Sequence, residues 1–254
     1  MCATCGCGDT THTHHHSHNH SHDHDHSHDH GHSHSHNVVD VERDILHENN
    51  LLAQRNRGYF DAKNILALNL VSSPGSGKTT LLEKTLTDLK EEIKFYVIEG
   101  DQQTSNDADR IHATGTKVTQ INTGKGCHLD AHMVLHALQG IKPEENSVMF
   151  IENVGNLVCP AMFDLGESER VVVMSVTEGE DKPVKYPDMF HSSTVCVINK
   201  IDLLPYVPFN LEKAKEYALQ VNPRLEIIEV SCTSGEGVDK WYSWLKAKIP
   251  AVVS

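Results

Sequence analysis

Two glycines, a lysine and a threonine in the run SSPGSGKTTLLEKTLTDL have the types and spacing to hold a chain of phosphates. Gly75 and Gly77 let successive backbone N–H groups close around an anion, Lys78 reaches the outer phosphates, and the Thr79 hydroxyl is placed for Mg2+. Pro74, Ser76 and Thr80 complete the loop and its entry into a helix. The strict Gly-x-x-x-x-Gly-Lys-Ser/Thr pattern fails at one place, because Ser72 stands where the first glycine belongs. The flanking order is still the one phosphate binding requires: apolar strand, glycine-rich turn, helix.

A second run, VINKIDLL, brings Asn199, Lys200 and Asp202 to the end of another apolar stretch. The Asp202 carboxylate can accept both N–H donors of guanine, at N1 and N2, a pair that adenine lacks, while Asn199 and Lys200 buttress the pocket. VSCTSGEG supplies a loop to cover the base through the backbone around Ser231, Cys232 and Thr233. Asp101, in IEGDQQTSND, and Glu152, in FIENVGNL, each follow a strand-like run. There a carboxylate can hold Mg2+ through water or orient an attacking water. These residues predict a Mg2+-dependent GTPase that converts GTP to GDP and phosphate. Lys78, Asp101 and Glu152 are its catalytic candidates, and Thr79, Asp101 and Glu152 its magnesium ligands.

The chain opens MCATCGCGD, and Cys2, Cys5 and Cys7 lie close enough to wrap one ion. If Met1 is removed, the Cys2 amine adds a nitrogen donor. Three sulfurs and one nitrogen in a plane suit Ni2+, whereas a tetrahedral arrangement suits Zn2+. Fourteen of the twenty histidines lie between His12 and His36, interleaved with Ser, Asp, Asn and Thr. Such imidazoles bind Ni2+, Cu2+ and Zn2+ with little selectivity, which fits storage or buffering of nickel. A further cluster is expected in the globular part. Cys127 and His128 open the helix LDAHMVLHALQ, and Cys159 follows Glu152 by seven residues. Three ligands leave a site open, or shared across a two-fold dimer. Cys196, inside an apolar strand, reads as buried. His132 and His136 share one helix face and read as surface histidines.

The elements that must position these groups can be read from composition and period. Residues 1–37 contain no Lys, Arg or aromatic residue. They carry too little apolar surface to offset ordering, so a disordered, metal-binding tail is expected ahead of one folded domain over 38–254. Val38, Val41, Ile45, Leu51 and Leu52 fall at helical spacing and predict a helix near 38–57. Strand-like runs at 64–71, 94–99, 117–122, 147–152, 170–176, 194–199 and 225–231 then alternate with amphipathic helical ones. Short β-branched strands separated by helices predict an α/β fold of the P-loop type. Its sheet is mostly parallel, covered on both faces, with active loops at the C-terminal ends of its strands.

A net charge of −13 argues against nucleic acid, whose binding rests on Lys and Arg. Nor is there a secretory pattern or an apolar run long enough to span a bilayer. Seven cysteines, an odd number, make no disulfide framework. A cytoplasmic protein with reduced thiols is the expectation.

The segments SSPGSGKTT, EGDQQTSNDADRI, GKGCHLDAHMV, IENVGNLVCPA and NKIDLLPY, preceded by CATCGCG, resemble the hydrogenase nickel incorporation protein B family. That family comprises GTPases that help insert nickel into NiFe hydrogenase. The resemblance covers the folded domain nearly from end to end, and the Ser72 departure looks like the family's own variant of the loop. It implies a high-affinity nickel site at the Cys2–Cys5–Cys7 motif. It also implies nickel or zinc at Cys127, His128 and Cys159 near a homodimer interface. Two partners are implied as well, the zinc-containing companion maturation protein A and the hydrogenase large-subunit precursor. A urease-accessory GTPase, whose metal pair is Cys-Pro-His, and a nickel-storage protein are the competing expectations.

Overall fold

The computed structural model describes residues 38–101, 106–124 and 126–251. The Cys2–Cys5–Cys7 motif and the histidines from His12 to His36 lie outside the described residues. Among the described residues, seven strands form one sheet: β1 (Leu66–Ser72), β2 (Phe95–Asp101), β3 (Lys117–Asn122), β4 (Val148–Gly155), β5 (Glu169–Ser175), β6 (Val195–Asn199) and β7 (Glu226–Glu229). Their order is β3-β2-β4-β1-β5-β6-β7, and every pairing is parallel. The chain leaves β1 toward β2 on one side and later builds β5 to β7 on the other. The end of β1 is therefore the switch point at which α/β sheets bind ligands.

Burial on both faces explains why these strands are nearly continuous apolar runs. On one face, Leu66, Leu68, Leu70, Val97, Phe150, Val171 and Val197 pack against α2 (Lys78–Leu89) and α9 (Val238–Lys248). There Trp241 stacks on Trp244 and donates its indole N–H to Thr85 at 2.9 Å. On the other, Ala67, Ile98, Met149 and Ile151 meet α1 (Val38–Ala62) and α4 (Ala131–Ile141). Val71, Val172, Cys196 and Ile198 meet α7 (Pro187–Ser192) and α8 (Leu211–Val221). The short helices α3 (Asn106–Ala113), α5 (Cys159–Met162) and α6 (Lys182–Lys185) complete the connections. Among the described residues, no helix is long and apolar enough to cross a membrane.

Two expectations need correction. The first helix runs to Ala62, and its apolar stripe is on the wrong side: Val41, Ile45 and Leu51 are exposed. The face it buries is Asn49, Ala53, Asn56 and Phe60. Two asparagines in that face hide its period from a hydrophobicity reading. The second correction concerns Cys127 and His128, which do not open α4. Asp130 takes the N-cap, accepting from Met133 N at 2.8 Å, so the helix starts at Ala131 and the two ligand candidates lie in the bend before it.

Candidate nucleotide and metal sites

β1 ends in a loop whose shape depends on glycine. Gly75 and Gly77 have φ of +76° and +92°, and a Cβ on Gly77 would fall 2.4 Å from Asn199 Nδ2. That close approach is used. Asn199 Nδ2 donates to Ser76 O at 3.0 Å, and Lys200 Nζ donates to Gly75 O at 2.7 Å. The residues singled out beside the base thus brace the phosphate loop from beneath. The loop and the N-terminus of α2 border a cavity of about 510 Å3, whose wall includes Pro74, Gly75, Ser76, Gly77, Lys78, Thr79, Thr80, Asp101, Arg110 and Lys200. A larger groove of about 680 Å3, lined by Lys90, Lys94, Thr114 and Glu144, contains none of these groups.

At the base end, Asn199 Oδ1 accepts from Lys200 N at 2.7 Å and Cys232 N at 3.4 Å, joining the loops after β6 and β7. Ser231 is buried, Thr233 is exposed, and burial pushes the Cys232 thiol up to about 11. Asp202 Oδ1 is buried with no hydrogen-bond partner among the described residues. A buried acceptor left without a donor is costly unless a ligand supplies one, and guanine offers N–H groups of the right kind.

Glu152 sits under the phosphate loop. Its Oε1 accepts from Lys78 Nζ at 2.7 Å and from Thr79 Oγ1 at 2.6 Å, while its buried Oε2 has no partner among the described residues. Across the β2–β4 ladder it is in register with Glu99, which is also buried and whose Oε2 also lacks a partner there. Burial first, then the charges of Glu152 and Asp101, push Glu99 up to about 8. Asp101 closes β2 on the cavity wall. The donor set of Thr79, Asp101 and Glu152 has the hard oxygens that Mg2+ takes, and the orphaned Glu152 oxygen fits that use.

The sheet changes register at this point. Leu70 pairs with Glu152 and Ser72 with Gly155, so β4 carries an extra residue, a bulge of the kind that re-aims side chains beside sites. Asn153 Oδ1 accepts from its neighbour Val154 N at 3.0 Å and from Leu129 N at 3.1 Å. Asn156 Nδ2 then donates to Cys127 O at 3.3 Å. One strand end thereby holds the segment that carries Cys127 and His128.

That segment and α5 bring three candidate ligands together. Cys127 Sγ lies 2.8 Å from Cys159 Sγ and 3.7 Å from His128 Nδ1, and the three ligand atoms are all within 4.8 Å of one another. His128 stacks on Phe163 at 4.0 Å, and burial holds its imidazole below the usual value, in the neutral form that ligates metal. Two thiols and an imidazole suit Ni2+ or Zn2+. Helix α1 clasps both halves of the cluster. Asn49 accepts from Ala131 N at 2.9 Å and donates to Asp164 O at 2.8 Å, and Asn56 Nδ2 donates to Ala131 O at 2.9 Å and Leu165 O at 3.1 Å.

Residues 66–229, from the first strand to the last, match the family described as CobW/HypB/UreG, nucleotide-binding domain. The hydrogenase maturation factor HypB of Escherichia coli K12 is 59% identical over 211 residues, covering 83% of this chain and 73% of its own. The crystal structure of HypB from Archaeoglobus fulgidus superposes with a TM-score of 0.75 at 41% identity, covering 80% of this chain and 99% of that one. HypB from Helicobacter pylori in complex with nickel gives the same TM-score at 36% identity, over 82% and 99%. The chain belongs to the HypB family of hydrogenase maturation factors.

In this HypB-family chain the sequence reading missed Glu99, Asn153 and Asn156 at the end of the strands, and Asn49 and Asn56 on α1. Glu99 ends an apolar run, and a carboxylate at a strand's C-terminal end was its only signal. Asn153 is the neighbour of a residue that was found. Asn56 carries no signal at all beyond its helical spacing from Asn49.

Proposed function

We propose that this chain is a GTP-hydrolysing nickel metallochaperone, delivering or inserting nickel during NiFe-hydrogenase maturation. The observation that carries the reading is the end of β4. Within eight residues, Glu152 touches the phosphate-loop Lys78 and Thr79, Asn153 and Asn156 hold the Cys127–His128 segment, and Cys159 joins the thiol–imidazole cluster. Nucleotide and metal would therefore act on one piece of chain.

In this reading the loop N–H groups and Lys78 bind the phosphates of GTP, and Asp202 selects guanine beneath the loop around Ser231, Cys232 and Thr233. Thr79, Asp101 and Glu152 would hold Mg2+, which supplies neutralisation of charge on the transferring phosphoryl group. Asp101 or Glu152 orients the attacking water. Residues 38–254 form the GTPase domain, and 1–37 a metal-binding tail with its tightest nickel site at Cys2, Cys5 and Cys7. Cys127, His128 and Cys159 take nickel or zinc, a reading supported by the nickel complex of the Helicobacter pylori relative. GTP binding orders the segments around Asp101 and Glu152, two subunits associate in the cytoplasm, and hydrolysis alters the cluster so that metal is released. The partners in this reading are maturation protein A and the large-subunit precursor. The histidines from His12 to His36 favour nickel storage as a second role.

The test is nickel binding and nucleotide turnover in the same chain. GTP should be hydrolysed and ATP should not. Deleting 12–36 should lower the number of Ni2+ ions bound while sparing the tightest one. A chain that binds nickel normally but turns over neither nucleotide would leave storage as the function.

A further inference from the structure

Between β4 and α5 runs a row of buried polar side chains. Asn69 stands in the middle of β1, fully buried, with β4 on one side and β5 on the other. Its Oδ1 accepts from Asn153 Nδ2 at 3.3 Å, and its Nδ2 donates to Glu167 Oε1 at 3.1 Å. Glu167 Oε1 also accepts from Arg170 Nε at 2.9 Å and Arg170 Nη2 at 2.7 Å. Both members of this ion pair are more than nine-tenths buried.

The far end of the row is the segment that carries Cys159. Arg170 Nη1 donates to Ala161 O at 3.1 Å and Nη2 to Phe163 O at 2.9 Å, at the end of α5 and its cap. Cys159 is the first residue of that single turn, and the Phe163 ring is the one stacked on His128. Glu167 Oε2 holds the following loop, accepting from Leu165 N at 2.8 Å. Asn153 is already tied through its Oδ1 to Leu129 N, beside Cys127 and His128. One side chain thus grips both halves of the cluster, the first directly and the second through Asn69, Glu167 and Arg170.

Stability alone is a poor reason for this arrangement. Desolvation of a buried ion pair offsets much of its attraction, and a neutral amide can satisfy two carbonyls, as Asn56 does for Ala131 O and Leu165 O. What a guanidinium adds is a planar fork that fixes direction. Metal ligands take their orientation from such outer partners. We propose that Arg170 and Glu167, joined to β4 through Asn69, are positioning residues for the metal cluster, setting Cys159 and Phe163 against Cys127 and His128. The role rests on reading Cys127, His128 and Cys159 as metal ligands.

Alkylation of the full chain with iodoacetamide, read peptide by peptide by mass spectrometry at free Zn2+ concentrations set by a chelator, tests this. Cys127 is partly exposed and reports the cluster, and buried Cys196 reports the fold. The peptide with Cys2, Cys5 and Cys7 is an internal control. Arg170→Lys keeps a charge beside Glu167 but loses the fork, whereas Asn69→Leu cuts the link to β4 and leaves the ion pair. In each, the free Zn2+ that protects half of Cys127 should rise about 10–100-fold, with the control peptide unmoved and Cys196 unreactive. A variant whose Cys196 reacts has lost its fold, and the other then decides. An unmoved Cys127 midpoint in a folded variant would overturn the proposal, as would an equal shift in the control peptide. A wild-type chain in which Zn2+ never protects Cys127 would remove the metal reading itself, and this role with it.

Discussion

Glu152 and Asn153 are consecutive on β4 and turn to opposite faces of the sheet, the first to Lys78 and Thr79, the second to Leu129 N beside the Cys127–His128 bend. A shift of Glu152 on nucleotide binding must move the backbone that Asn153 shares. Metal affinity at the thiol–imidazole cluster should then differ between GDP and a non-hydrolysable GTP analogue, typically by about 5–150-fold, with a reciprocal effect of metal on nucleotide. In Asn153→Ala that difference should shrink toward none. The check is competition with a chromogenic chelator, using a chain that starts at Val38 so that the tail does not dominate. Undiminished coupling in the variant would show that β4 is not the route.

Lys78→Ala should abolish GTP hydrolysis. It should also destabilise the nucleotide-free protein, because Glu152 is buried and would lose its cation. Removing one partner of a buried pair costs roughly 3–5 kcal/mol, read as a lower midpoint in urea. Lys78→Met, which keeps the stem, should lose hydrolysis equally. Normal turnover in either would remove the phosphate-loop assignment.

Asp202→Asn puts an amide donor where the orphaned acceptor stands. GTP should bind more weakly by roughly 1–3 kcal/mol, with ATP little affected. Titration calorimetry of both nucleotides measures this. A wild-type protein that does not prefer GTP over ATP would defeat the guanine reading outright.

Glu99 gives a pH signature. Its pKa rises from 4.5 in the unfolded chain to about 8 in the fold, so the folded state holds the proton more tightly. Its favourable contribution is fully present below about 4.5 and is lost as pH rises toward 8, a change on the order of a few kcal/mol. Glu99→Gln should flatten the fall in stability across that window and raise the unfolding midpoint at pH 8 more than at pH 5. Urea unfolding in chelator, without nucleotide, supplies the comparison. Parallel profiles for both proteins would mean Glu99 is charged throughout.

The strands were legible because burial on both faces writes them as β-branched runs, and each lies within about three residues of its expected bounds. Lys78, Thr79, Asn199, Lys200 and Asp202 stand out as candidates because nucleotide binding would need fixed spacing along the chain. The cluster of Cys127, His128 and Cys159 could be expected from residue type, but its assembly depends on contacts far apart in sequence. Helix α1 shows the limit. It buries asparagines to satisfy the backbone of two distant loops, so the face that matters is polar, and a search for apolar periodicity selects the side left in water.

The central place of β1 constrains how the protein can be made. As a nascent chain, β1 and the phosphate loop emerge early. Their partners β4 and β5 are synthesised about 80–100 residues later, and the brace from Asn199 later still. Until then the loop has neither its neighbouring strands nor the side chain that holds Ser76 and Gly77. A loop complete with its brace therefore requires translation past residue 199, and a product stalled before β4 exposes an apolar strand with both edges open.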